Sequence, residues 1–352
     1  MKKRLLTLTL VMAIMCSLAA CGTAPAPSGT SSTPTPPANS AGGSSQNSGS
    51  LPKINDLELL SGSATGSWYT IGAGVADKFN DLYDGFPMTC APGPGSIGDV
   101  PVIAAGESDI GMSYGPFLIA AVNGNAPYET AYTNLRSIAA LQPTVIQPLT
   151  TLDIKTFGDF VDNKVKGTLG LYPVGNASTY IISMILKEYG IENADDISSW
   201  GASTYYADGA SIADAWSDRH IDIQFPMLNV PASTVTEALV TRTDGKLFSL
   251  DEDIVSSLEE KYGFSAYTIK AGSYEGQDED ILTIGLPIVF FCTEDTDEDI
   301  VYNFTKSLHE NKEYFLGVHS SFGEFSPETM HEGCAIDLHP GAVKYYQEIG
   351  LM

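Results

Sequence analysis

Gly62-Ser63-Ala64-Thr65-Gly66-Ser67-Trp68-Tyr69 stands between the apolar run Leu57-Glu58-Leu59-Leu60 and a stretch in which Ile71, Val75, Phe79 and Leu82 recur at helical spacing. The pattern predicts strand, loop and helix, with Ser67 as the N-cap. A loop that ends on a helix start gathers unpaired backbone N–H groups at one point, and the helix dipole adds partial positive charge there. Such a point binds an anion. The same pattern also serves simply to reverse the chain between a strand and a helix, so both readings stand at this stage.

Outward from this loop the alternation continues. A strand near Pro87–Cys90 leads through Pro94-Gly95-Ser96 to an apolar stretch holding Val100 and Ile103, and Glu107-Ser108-Asp109 turns into a buried strand at Ile110-Gly111-Met112. After Pro143 the plan begins afresh. Gly167–Tyr172 reads as a strand, Val174–Ser178 as a loop, and Tyr180–Tyr189 as a helix closed by Gly190. A helix around Ile212–Trp216 then precedes a strand at Ile221–Phe225. Repeated strand-helix alternation predicts an α/β architecture with a largely parallel sheet, arranged as two similar lobes, each presenting a polar loop at a helix start. Ligands in such sheets sit at the C-terminal strand ends, beside helix N-termini.

The chain has 352 residues. Its first twenty carry Lys2, Lys3 and Arg4, an apolar run from Leu5 to Met15, and Leu18-Ala19-Ala20 before Cys21. This has the form of a secretion signal and resembles a bacterial lipoprotein signal, which implies acylation of Cys21; a simple signal peptide with a chance cysteine is the bland alternative. Residues 21–53 are almost wholly small and polar, with no charge before Lys53, and cannot bury a core. As a flexible tether they reach roughly 30 Å. The expected location is extracytoplasmic, anchored to the membrane by lipid rather than by a helix. Without the basic signal the chain holds 43 acidic side chains against 15 Lys and Arg, a net charge of -28. Nucleic acid is thereby an unsuitable partner, and an anionic ligand would be repelled at long range, so any anion site must be local. The cysteines left after signal and lipid are Cys90, Cys292 and Cys334, whose spacing fits neither a metal site nor a disulfide framework.

From about Asp56 onward the residues resemble the solute-binding subunits of the TAXI branch of tripartite ATP-independent periplasmic (TRAP) transporters. The resemblance rests on Gly66-Ser67-Trp68-Tyr69-Thr70-Ile71-Gly72, on Gly95-Ser96 followed by Gly106-Glu107-Ser108-Asp109, and on Asn134-Leu135-Arg136-Ser137-Ile138-Ala139. It continues through Ser273–Asp280 and the closing run Leu338-His339-Pro340-Gly341-Ala342-Val343-Lys344-Tyr345-Tyr346-Gln347-Glu348. It implies a two-lobed periplasmic-binding-protein fold of type II character with the ligand cleft between lobes. It further implies a monomeric, non-catalytic receptor without cofactor. The implied ligand is a small carboxylated solute, a glutamate-like amino acid or a dicarboxylate, handed to TRAP membrane subunits. Lobe I is expected over 54–142 and 281–352 and lobe II over 143–280, with crossings near Gln142-Pro143 and Ser273–Asp280.

Carried over by position, Thr65, Gly66, Ser67, Trp68 and Tyr69 form the first wall of the site. Trp68 stands where the family has tyrosine, and either narrows the pocket or packs beneath the loop. Ser96 matches a family serine, but Gly98, Asp99 and Pro101 depart from the pattern, which puts a helix start later and Ser96 in doubt. Tyr114 falls near a family glutamine. In the second lobe Asn176, Ala177 and Ser178 replace a Ser-Gly-Thr pattern and keep a helix start. Arg136 offers a fork suited to a carboxylate, or pairs with surface acid.

Two other classes compete. His309, His319, His331 and His339 lack helical metal spacing, and no paired nucleophile and base can be inferred from spacing, so a surface hydrolase or metalloenzyme is the weaker class. A ligand sensor of the same fold, partnering a membrane kinase, is indistinguishable by sequence.

Overall fold

The computed structural model describes residues 57–64, 66–83, 87–173 and 176–352. The signal, Cys21 and the tether, together with Thr65 of the first loop, lie outside the described residues.

The first part of the chain runs β1 (Leu57–Ser61), α1 (Ser67–Leu82), β2 (Met88–Pro92), α2 (Asp99–Ala104), β3 (Ile110–Tyr114), α3 (Gly115–Asn123) and the long β4 (Leu135–Ile146). The second continues β5 (Leu149–Thr150), α4 (Phe157–Asp162), β6 (Thr168–Leu171), α5 (Ala177–Glu188), β7 (Ser203–Tyr206), α6 (Gly209–Ser217) and β8 (Ile223–Gln224). Then come β9 (Met227–Leu228), α7 (Ser233–Thr241), β10 (Lys246–Leu247), α8 (Glu252–Tyr262), β11 (Ser265–Ile269) and the 13-residue β12 (Ile281–Thr293). Helices α9 (Glu298–Glu310), α10 (Lys312–Val318) and α11 (Pro340–Glu348) close the chain.

Two sheets result. One has the order β2-β1-β3-β12-β4-β9, with β11 also on β12; the other runs β10-β5-β8-β6-β7. The strand-loop-helix units produce parallel neighbours as expected, β1 with β2 and β3, and β6 with β7 and β8. The expectation of a largely parallel sheet is corrected for the rest of the first sheet, where β12 is antiparallel to β3, β4 and β11, and β9 to β4. The reason is topological: these strands return from the second sheet and enter the first from the opposite end.

Helix α1 turns Ile71, Val75 and Phe79 into the core, while Leu82 is 43 % exposed because the buried stripe ends one turn earlier. Gly72 permits the close seat of this helix, since a Cβ there would meet Cys90 Sγ and Leu59 Cδ2 at 2.9 Å. The hydrophobic clusters explain how the halves are joined. One continuous core holds Phe117 and Leu118 of α3, Leu258 of α8, and Ile181 and Ile185 of α5, so α8 wedges between helices of the two parts. A separate cluster around Trp216 takes in Val145 of β4, Leu149 of β5 and Ile281 of β12. β4 and β12 therefore run side by side from one half into the other, Gly285 opposite Val145. The segment Ser273–Asp280 is the connection leading from β11 into β12, just before the crossing strand.

Candidate functional site

The first group forms at the C-terminal ends of β1 and β3. The N-cap of α1 is Gly66, with extended backbone (φ -90°, ψ 159°), which corrects the assignment of Ser67. Gly66 N–H donates to Ser63 O at 2.8 Å, closing the turn one residue early, and Gly66 O accepts from Tyr69 N–H at 3.2 Å. Ser67 is the first helical residue and is exposed. No acceptor among the described residues meets the N–H groups of Ser67 and Trp68, so the helix start keeps free donors.

Trp68 is half-buried. Its indole stands edge-on to Tyr114 with centroids 4.9 Å apart, and Gly62 leaves room for it, a Cβ there meeting Trp68 Cβ at 3.1 Å. Tyr114 is the N-cap of α3 and its hydroxyl donates to Thr144 Oγ1 at 3.4 Å. Burial raises the Tyr114 hydroxyl above its ordinary pKa, so it stays a neutral donor. Tyr69 O accepts a weak bond from Cys90 Sγ at 3.8 Å, directing that residue's backbone under the helix.

Ser96 is 9 % exposed and its carbonyl accepts from Ser113 Oγ at 2.5 Å, which links it to the residue before Tyr114. Helix α2 begins at Asp99 with Gly98 as N-cap, so Asp99 is its first residue rather than its cap. Asp99 is fully buried and its Oδ1 accepts Gly95 N–H at 2.8 Å, which braces the loop carrying Ser96. Desolvation pushes its carboxyl up to about 7.

Arg136 is not brought to this group. It lies at the start of β4 opposite Cys292, whereas Tyr114 lies opposite Ile288 at the other end of the shared ladder. Its guanidinium pairs with Glu294 and donates to Leu135 O at 2.7 Å and Thr133 O at 3.0 Å. The carboxylate-clamp assignment is corrected in favour of this pairing at the opposite edge.

The second group forms at the C-terminal ends of β6 and β8. Asn176 caps α5, its Oδ1 accepting Ser178 N–H at 2.9 Å, with Ala177 as first helical residue. Asp208 caps α6 in the same manner through Ser211 N–H at 2.9 Å. Between these helix starts and α7 lies a cavity of about 380 Å³ whose lining includes Tyr172, Ser178, Gly209, Gln224, Phe225 and Met227. Asn176 and Ala177 stand beside it, and Ser178 lines it.

Strand β4 draws the two groups together. Thr144 receives the Tyr114 hydroxyl, and the next residue, Val145, pairs with Leu228, which lines the cavity with Met227. Gln147, fully buried, holds the same segment: its N–H donates to Pro226 O at 2.8 Å and its Nε2 to Leu228 O and Asn229 O at 3.1 and 3.2 Å. The Tyr274 hydroxyl donates to Gln147 Oε1 and accepts Ala232 N–H at 2.8 Å. Sequence reasoning missed Thr144, Gln147, Gln224 and the 226–229 segment, because their place at the site is set by the pairing of β4 with β9 and of β5 with β8, which local periodicity does not encode. The one signal available was the run Gln224-Phe225-Pro226 ending a buried strand.

The chain belongs to the NMT1-like family, whose model matches residues 59–350. Among solved structures it is similar to a TctC solute-binding protein from Polaromonas, at 12 % identity, covering 84 % of this chain and 98 % of that one with a TM-score of 0.49. It is also similar to MatC from Rhodopseudomonas palustris with bound malate, at 13 % identity, covering 85 % and 98 % with a TM-score of 0.48.

Proposed function

We propose that the protein is an extracytoplasmic receptor that binds one small solute between its two halves and delivers it to a membrane transporter of the TRAP type, as a TAXI subunit. The observation that carries this reading is the convergence on residues 144–146 of two strand-end surfaces, each flanked by a helix start. Lobe I comprises 54–142 and 281–352 and lobe II 143–280, with β4 and β12 as the flexing strands, although β9 and β11 from within 143–280 pair onto the first sheet through those two strands. The residues that take up the solute are Gly66 to Tyr69 and Tyr114 on one side and Asn176 to Ser178 on the other, with Thr65 and Ser96 in the adjoining loops. A carboxylate on the solute is met by free N–H groups and hydroxyls, because Arg136, Arg219 and Arg242 are engaged with Glu294 and Asp244.

No covalent chemistry is needed. Micromolar affinity corresponds to about -8 kcal/mol, within reach of a few charge-assisted hydrogen bonds in a closed cleft. Contacts made to both lobes only when closed are what shift the population. Cys21, acylated, and the tether keep the receptor at the membrane surface. A thermal-shift screen of the purified protein, stripped of carried-over ligand, tests the receptor reading: one solute class raises the midpoint saturably. A flat response across amino acids, carboxylates, amines and sugars contradicts it. Cys21→Ser is expected to release the protein from the membrane fraction, and an unchanged distribution contradicts the lipid anchor.

A further inference from the structure

The cavity in the second half has a polarity that the first half lacks. Gln224 lines it, the residue being only 6 % exposed, and its side-chain amide makes no hydrogen bond to the described residues, its polar atoms being open to the cavity rather than sealed in the core. An amide that faces a cavity and bonds no protein group offers an acceptor and two donors to whatever enters. Asp214 of α6 and Glu237 of α7 stand on the rim of the same cavity, and no lysine or arginine is among its lining residues. The rest of the lining is apolar or hydroxylic, with Trp216 beneath. Two carboxylates over an acceptor-bearing amide form a negative potential, and the chain's own excess of acid extends the same sign outward. A second carboxylate pushed into this cavity would meet repulsion without a compensating cation. A primary ammonium would instead find three sets of oxygen acceptors.

We infer that Gln224 is a specificity-determining residue and that the end of the solute entering this cavity carries a primary ammonium group. The inference rests on the receptor reading above and narrows its ligand to amino-bearing solutes. Gln224 Oε1 accepts one ammonium hydrogen, and Asp214 and Glu237 attract the cation at the mouth. A carboxylate, where the solute has one, stays at the helix starts facing the first half.

The test compares matched probes on the purified protein by thermal shift followed by calorimetry: linear primary amines and amino acids against dicarboxylates and alcohols of the same chain length. The expected result is a saturable midpoint rise with amino-bearing probes only. Gln224→Leu is expected to weaken that binding 10- to 100-fold while leaving the apo midpoint nearly unchanged, because no hydrogen bond within the protein is lost. Gln224→Glu is expected to retain or tighten it, a charge-dependent sign that a packing role would not produce. Binding of dicarboxylates in preference, with Gln224→Leu binding as wild type, overturns the inference and leaves the receptor standing. A flat response to every class removes both.

Discussion

The two halves of the cleft are built on the same plan and prepared to different degrees. In the first, Trp68 leans on Tyr114 and Tyr114 reaches Thr144, so an aromatic wall is assembled before any solute arrives. In the second, Asn176 and Asp208 cap their helices, but the amide of Gln224, lining the cavity, bonds no group among the described residues. The difference teaches a division of labour. A pre-packed wall costs little to organise on binding, while open polar groups decide which solute is accepted.

The two tryptophans sharpen this contrast most strongly. Trp216 is fully buried and its Nε1 donates to Ala238 O at 2.9 Å, so Trp216→Ala is expected to cost about 3–5 kcal/mol of stability, read by chemical denaturation. Trp68, half-buried on the cleft side, has the opposite profile. Trp68→Ala is expected to change apo stability by no more than about 1 kcal/mol and to weaken solute binding about tenfold, from loss of the aromatic contact. Equal stability losses in the two variants would erase the distinction between core and wall.

The brace beneath the first half gives a pH signature. Asp99 has its carboxyl raised to about 7, so the folded state holds its proton more tightly than the unfolded chain does. Its contribution to stability is present below the unfolded carboxylate range near 4 and is lost as pH climbs toward about 7, with no further change above. Asp99→Asn, which keeps an acceptor for Gly95 N–H, is expected to flatten that slope, by about 2–4 kcal/mol across the window. Denaturation midpoints at pH 5 and pH 8 check this; equal slopes in both proteins would contradict it. The smallest effect is expected from Arg136→Ala, since an exposed pair with Glu294 is worth up to about 1 kcal/mol. Solute affinity should be untouched, and a loss of more than tenfold would return Arg136 to the site.

The legibility of the chain follows the range of the interactions. The strand, loop and helix from Leu57 to Leu82 follow from local periodicity and capping, and the helix read over Tyr180–Tyr189 is present as α5, which starts earlier, at Ala177, because Asn176 caps it; Gly190 adopts φ 75° just past the helix end. The cap slipped by one residue at Gly66 because glycine and serine both suit that position, and the turn back to Ser63 O decides between them. The fork of Arg136 suits a carboxylate, whereas strand register sets it at the far end of the shared ladder. Gln224 and Gln147 are ordinary glutamines in sequence. Their distinction is that one faces a cavity without a partner among the described residues and the other is buried with several, which only long-range packing creates.

The central claim is that one solute engages both halves and draws them together. Small-angle X-ray scattering of the purified protein, with and without a saturating thermal-shift hit, measures this directly. The radius of gyration is expected to fall on binding, and to fall less in Trp68→Ala. A hit that raises the thermal midpoint while leaving the scattering curve unchanged would mean that the solute sits in the second cavity alone, and that the two halves do not act as one site.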